Sequence, residues 1–181
     1  MSEPDSRPPP GLLPRRPATR AEATALASAI RLRILRMTYY LPLTNKEIAE
    51  RLGRDPATTL HHVRKLVATG FLDPLPARRG TRGAREIPYR STGLSWSLDR
   101  GSHDDGGALD EAMLEAFLGE VADVGTDRLH QTRLALRLDD AQLGEFRDRL
   151  YALLREFAAR PVVPGADGLA VYVALYRVPT G

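Results

Sequence analysis

Two helix starts set eleven residues apart constrain this chain more than any other feature. At Thr44, a hydroxyl is followed three residues later by the Glu47 carboxylate, so each side chain can accept from the other's backbone amide in a capping box. The helix this opens is short. Ile48, Ala49 and Leu52 form its apolar face, and Gly53 stands where a positive φ ends it. Asp55-Pro56 then reads as an N-cap followed by proline at the first helical position. The helix from Pro56 to about Ala68 turns Thr59, Val63, Leu66 and Val67 inward, and Gly70 ends it. Helices joined by so short a turn cross each other and share one core.

The flanks complete the unit. Thr19 with Glu22 forms an earlier capping box, and Leu26, Ile30, Leu32, Ile34, Leu35 and Met37 predict one continuous helix through about Tyr40, stopped by Pro42. After Gly70, Phe71-Leu72 begins an extended segment, and residues 87–91 read as its antiparallel partner. Between them, residues 78–85 form a glycine-bearing hairpin tip carrying Arg78, Arg79, Arg82 and Arg85, with Glu86 as the one nearby offset. A helix-turn-helix followed by a hairpin is a winged helix-turn-helix, expected over residues 19–98. Residues 1–18 hold six prolines and little apolar periodicity, which predicts a disordered tail.

Residues 99–107 read as a linker rich in Gly, Ser, Asp and His. Beyond it, over residues 107–181, the pattern predicts a helix from Leu109 to Val124 and a half-buried strand from Arg133 to Leu138. A helix opened by an Asp139/Gln142 box follows, with Leu143, Phe146, Leu150, Leu153, Leu154 and Phe157 on its apolar face. A Pro/Gly turn over residues 161–168 leads to a final strand from Leu169 to Val178. The fold class expected is mainly α with a small β component: a winged domain plus a C-terminal helical or α+β dimerisation region.

Charge divides along the same boundary. The net charge of the 181 residues is only +3, but residues 1–100 carry 18 basic and 9 acidic groups, a balance of +9, and the remainder carries 8 and 14, a balance of −6. A basic first half suits a polyanion and an acidic second half does not. The absence of cysteine removes disulfides, thiolate metal sites and cysteine nucleophiles together. No apolar run approaches the roughly 20 residues of a membrane span, so a cytoplasmic protein is expected. There is no Gly-rich phosphate loop, nucleophile elbow or Ser/His/Asp set, and the acidic pairs Asp104-Asp105 and Asp139-Asp140 fall in a linker and a helix cap; no enzyme is expected.

A helix that fits the major groove reads bases with its N-terminal and outward residues. On the helix over 56–68 these include Thr58 and His61, suited to base edges, and Arg64 and Lys65, suited to guanine or phosphate. His62 reads better as a half-buried ring, and Leu60 as a seal on the helix-turn-helix core. Arg78, Arg79, Arg82 and Arg85 repel each other unless a polyanion lies near, which points to phosphate or minor-groove contact.

The stretch from Thr44 through Gly53 and on from Asp55 to Leu66, with Arg31-Leu32-Arg33-Ile34-Leu35 before it and Gly70-Phe71-Leu72 after it, resembles the ArsR-type winged-helix transcriptional regulators. The resemblance covers about residues 20–91 and implies a DNA-binding regulator, by family habit a repressor. Metal-sensing members of that family use thiolates before the recognition helix or a carboxylate/His set on the dimer helix. Here cysteine is missing, and Asp110, Glu111, Glu115 and Glu120 share their helix with no histidine, while His103 and His130 only flank it, so neither metal nor other cofactor is expected.

Because one winged helix reads a short half-site, a homodimer on an inverted repeat is expected, with double-stranded DNA as the partner. Leu109, Met113, Leu114, Phe117, Leu118 and Val121 occupy two sides of the 109–124 helix, more than one intramolecular face requires, and are the expected dimer interface. The strand–helix–strand after it suits an apolar small molecule, a protein effector, or neither. The alternative reading is a winged helix used for protein or RNA contact, with the acidic half as partner surface.

Overall fold

Thr19 opens the first helix as its spelling requires: the Glu22 amide donates to Thr19 Oγ1 at 3.3 Å, and the Thr19 amide donates to Glu22 Oε2 at 2.7 Å. In the computed structural model, which describes residues 16–80, 83–99, 106–163 and 165–178, this helix does not run on to Tyr40. It splits into α1, Arg20–Leu26, and α2, Ala29–Met37. The break lies at Ala27 and the extended Ser28. Arg31 folds back across it, donating from Nε to the Ala25 carbonyl at 2.5 Å and from Nη2 to that of Thr24 at 2.9 Å. It thereby satisfies acceptors that a helix end leaves orphaned. The apolar spacing ran unbroken through the bend because both helices face one core. Nor does Pro42 stop α2: the helix ends at Met37, where the buried Thr38 hydroxyl donates to the Ile34 carbonyl at 2.7 Å.

The helix-turn-helix forms as read. Strand β2, Leu43–Thr44, leads into α3, Asn45–Leu52, through the Thr44/Glu47 box. Gly53 adopts φ 61°, and the Arg54 amide closes on the Ala49 carbonyl at 2.9 Å. Helix α4, Pro56–Ala68, starts at Asp55, whose Oδ1 accepts from the amides of Ala57 (2.8 Å) and Thr58 (3.1 Å). Ile34, Leu43, Ile48, Val63, Leu66 and Phe71 form the buried centre between α2, α3, α4 and the sheet.

The wing is made of two short antiparallel pairings. β3, Leu72–Pro74, and β6, Pro88–Ser91, join β2 in a three-stranded sheet of order β2-β6-β3, with Leu72 opposite Ser91 and Leu43 opposite Tyr89. Further out, β4, Arg78–Arg79, pairs with β5, Arg85–Glu86. A third, parallel pairing joins β1, Arg16–Pro17, to β7, Leu98–Asp99. Arg16 and Pro17 therefore belong to the domain and not to a disordered tail, and Asp99 belongs to a strand and not to the linker. The Arg16 guanidinium grips the Glu22 carboxylate at 2.9 and 2.6 Å, an anchor that charge counting does not reveal. Residues 1–15 of the expected tail, Arg7 and Arg15 among them, and most of the linker, with His103, Asp104 and Asp105, lie outside the described residues.

Helix α5, Gly106–Val124, packs chiefly on α2. Its buried seam is made of small residues, Ala112 and Ala116, with Gly119 against the Arg33 side chain. Ion pairs fasten the far end, Arg36 to Glu120 at 3.0 Å and Arg33 to Asp123. Helix α6, Asp140–Ala158, begins at the expected Asp139/Gln142 box. The two strands expected on either side of it, Arg133–Leu138 and Leu169–Val178, form no ladder. Alternation marks a segment able to be a strand, but a parallel pair joined by a helix needs further neighbours and cover on both faces. The described fold is mainly helical with a small antiparallel sheet.

Candidate nucleic-acid interface

Three elements converge at the start of α4. Asn45, the first residue of α3, donates from Nδ2 to the Pro56 carbonyl at 2.8 Å, tying the two helix N-termini together. Two residues on, the Glu47 carboxylate accepts from Arg78 Nη2 at 2.8 and 3.1 Å, tying the outer strand pair of the wing to the same point. Glu47 thus caps α3 and anchors the wing. Desolvation raises its pKa, but the Thr44 hydrogen bonds and the Arg78 charge outweigh that and hold the carboxyl below its ordinary value. The first amides of α4 are already held by Asp55, so side chains and not free amides are what this point presents to a ligand.

On α4, Thr58, His61 and Arg64 are exposed and Lys65 is half-buried, while Thr59, Val63 and Leu66 are fully buried on the opposite side. His62 is half-buried with its ring 5.9 Å from that of His61, and its Nδ1 has no hydrogen-bond partner among the described residues. Burial, followed by the charges of Arg31, His61 and Arg54, lowers its pKa from the ordinary histidine value. Leu60 sits at the boundary, half-buried.

In the wing, Arg78, Arg79 and Arg85 are exposed, and the strand register sets Arg79 directly opposite Arg85. With Pro76, Ala77 and Gly83 they line an open cleft of about 560 Å³. Like charges opposite each other destabilise an antiparallel pair. Neither Arg79 nor Arg85 has an ion-pair partner among the described residues, whereas Arg78 is compensated by Glu47. Sequence reading named Glu86 as the local offset and missed Glu47, which lies 31 residues from Arg78 along the chain. Arg82 lies outside the described residues. No group of three His, Cys, Asp or Glu able to hold a metal occurs among the described residues.

The expected interface residues of α5 occupy different surroundings. Leu109 packs against the core of the winged domain. Met113, Phe117 and Val121 are half-buried, and Leu114 and Leu118 stand 47% and 56% exposed. Phe117 stacks on Tyr172 with centroids 4.5 Å apart. No helix among the described residues is long and apolar enough to cross a membrane.

No curated protein sequence matches the chain. Among solved structures, similarity is found to the transcriptional regulator SlyA, at 13% identity over 71% of this chain and 74% of that one, with a TM-score of 0.29. A mutant of Lactococcus lactis ZitR in its apo form is similar at 20% identity over 75% of this chain and 86% of that one, with a TM-score of 0.30. Overlaps this loose leave the fold to rest on the elements themselves. Residues 26–74, from the end of α1 through the turn and α4 to the end of β3, match the family model described as a helix-turn-helix domain.

Proposed function

We propose that the protein is a DNA-binding transcriptional regulator that binds an inverted-repeat operator as a homodimer, reading bases with α4 (56–68) and phosphate or minor groove with the arginine wing (78–85). It acts as a cytoplasmic repressor, by occupying the operator. The observation that carries this reading is the convergence of the N-terminus of α4 and the outer strand pair of the wing on one point, through Asn45–Pro56 and Glu47–Arg78. Thr58, His61 and Arg64 face solvent on α4, in the N-terminal and outward positions that enter a major groove. Lys65, half-buried beside them, serves guanine or phosphate in this reading. The DNA domain expected over 19–98 takes in Arg16, Pro17 and Asp99 as well, and residues 107–181 serve assembly, with Leu114 and Leu118 the solvent-facing members of the α5 dimer surface and Met113, Phe117, Val121 and Leu109 extending it inward.

Titration of duplex DNA binding against salt tests the reading. Each neutralised phosphate adds about 0.9 to the slope of log affinity against log salt. A steep slope that falls when Arg79 and Arg85 are both replaced by alanine supports the assignment. Binding to no duplex above background, with capture of RNA or protein instead, replaces it with the interaction-module reading.

A further inference from the structure

The C-terminal third leaves an apolar surface that one chain does not cover. Thirteen of the nineteen exposed large hydrophobic residues among those described lie at or beyond Leu134, which places the deficit in one region. Between 39% and 86% exposed, they present on the order of 1,000 Å² of apolar surface. Summed over these side chains, that is of the size of the roughly 800 Å² each partner gives to a standard interface.

The arrangement of the two ladderless segments indicates what covers them. Arg177 Nη2 donates to Asp140 Oδ1 at 2.8 Å, which brings the end of the 169–178 segment beside the end of the 133–138 segment. Joined through α6, the two segments fit the plan of a parallel strand–helix–strand unit. Two parallel strands alone do not make a stable sheet. In 133–138 one alternating set is apolar, Leu134, Leu136 and Leu138, and the other contains Arg133 and Arg137, the charged pattern of a protected edge. In 169–178 both sets are apolar up to Arg177: Leu169, Val171, Val173 and Leu175 precede it on one, and Ala170, Tyr172 (stacked on Phe117), Ala174, Tyr176 and Val178 form the other. Apolar residues in both sets mark a central strand.

We infer that a second copy of this chain completes the sheet: the 169–178 segments of two copies pair antiparallel across a two-fold axis, with the 133–138 segments outside them. This rests on the homodimer proposed above and assigns it a second seam, continuous with α5 through the Phe117–Tyr172 stack. The area matches, and a two-fold axis sets identical surfaces face to face, as an isologous contact requires.

The absence of native cysteine makes the test direct. Val171→Cys, Val173→Cys and Leu175→Cys are each made in the full chain and oxidised with copper–phenanthroline beside Arg133→Cys, and hydrogen exchange is followed across chain concentrations. The inference expects a disulfide-linked dimer from at least one of the three central positions and none from Arg133→Cys. It also expects the 169–178 amides to exchange at least about tenfold more slowly in the dimer than on dilution. A stable dimer with no central cross-link and unprotected 169–178 amides overturns the shared sheet and leaves the α5 assembly standing. A chain that stays monomeric at all concentrations, with and without duplex DNA, overturns both.

Discussion

Replacing Arg78 and Arg79 one at a time separates a strut from a proposed DNA contact. The two are adjacent in β4 and equally basic, yet their surroundings differ. Arg78 is held 2.8 Å from Glu47, a pair 48% and 39% exposed on its two side chains, so its charge is largely compensated before DNA arrives. Arg79 faces Arg85 across the strand pair with no acidic partner among the described residues. In the proposed dimer each substitution removes two side chains. If both Arg79 residues neutralise phosphate, Arg79→Ala lowers the salt slope by about 1.8, which across a fourfold change from 50 to 200 mM salt is about twelvefold in affinity. Arg78→Ala removes a charge already balanced and lowers the slope by well under half that amount. Its cost to folding is that of an exposed pair, about 0–1 kcal/mol. Fluorescence anisotropy with a labelled duplex at four salt concentrations gives both slopes. Equal losses from the two variants would refute the strut assignment and show that Glu47 releases Arg78 to the phosphates.

Other substitutions probe the scaffold that holds this surface. Glu22 has a carboxyl lowered to about 2, chiefly by the Arg16 hydrogen bond and also by those from Thr19. Its stabilisation is full above the ordinary carboxylate range and is lost as pH falls from about 4.5 towards 2. Glu22→Gln keeps the capping geometry and removes the charge. The full shift corresponds to roughly 3 kcal/mol, and the exposure of Arg16 reduces the expected loss to about 1–2 kcal/mol at pH 7, closing towards zero near pH 2, by urea denaturation. Gly53→Ala meets no atom within 4 Å but must keep φ at +61°, so its cost is backbone alone, about 1–2 kcal/mol; no loss on thermal denaturation would contradict the left-handed turn. Asp55→Ala, which removes the acceptor of two α4 amides, is expected to cost about 1 kcal/mol in the same assay. His62, lowered in pKa mainly by burial, binds its proton more readily in the unfolded chain, so stability declines as pH falls below the ordinary histidine value. His62→Leu is expected to flatten that decline between pH 7.5 and 5.5; an unchanged decline would place its origin elsewhere.

Local chemistry was legible residue by residue. The boxes at Thr19, Thr44 and Asp139, the αL glycine at 53 and the Asp55-Pro56 start all act within a few residues of themselves, so spelling determined them without reference to the fold. The inward set of α4 and the exposure of Thr58, His61 and Arg64 followed from helical period alone. The break between α1 and α2 was hidden because periodicity reports which side is buried, and both helices bury the same side. What the tertiary structure decided are relations across the chain. Glu47 meets Arg78, Arg16 meets Glu22 across the start of α1, and Arg33 and Arg36 select Asp123 and Glu120 on α5. No pattern in a linear sequence specifies which carboxylate reaches which guanidinium, because that depends on where packing carries each backbone. The two alternating segments show the same boundary from the other side. Alternation determined that residues 133–138 and 169–178 are able to be strands, and only a hydrogen-bonding neighbour, which the described residues do not supply, makes them so.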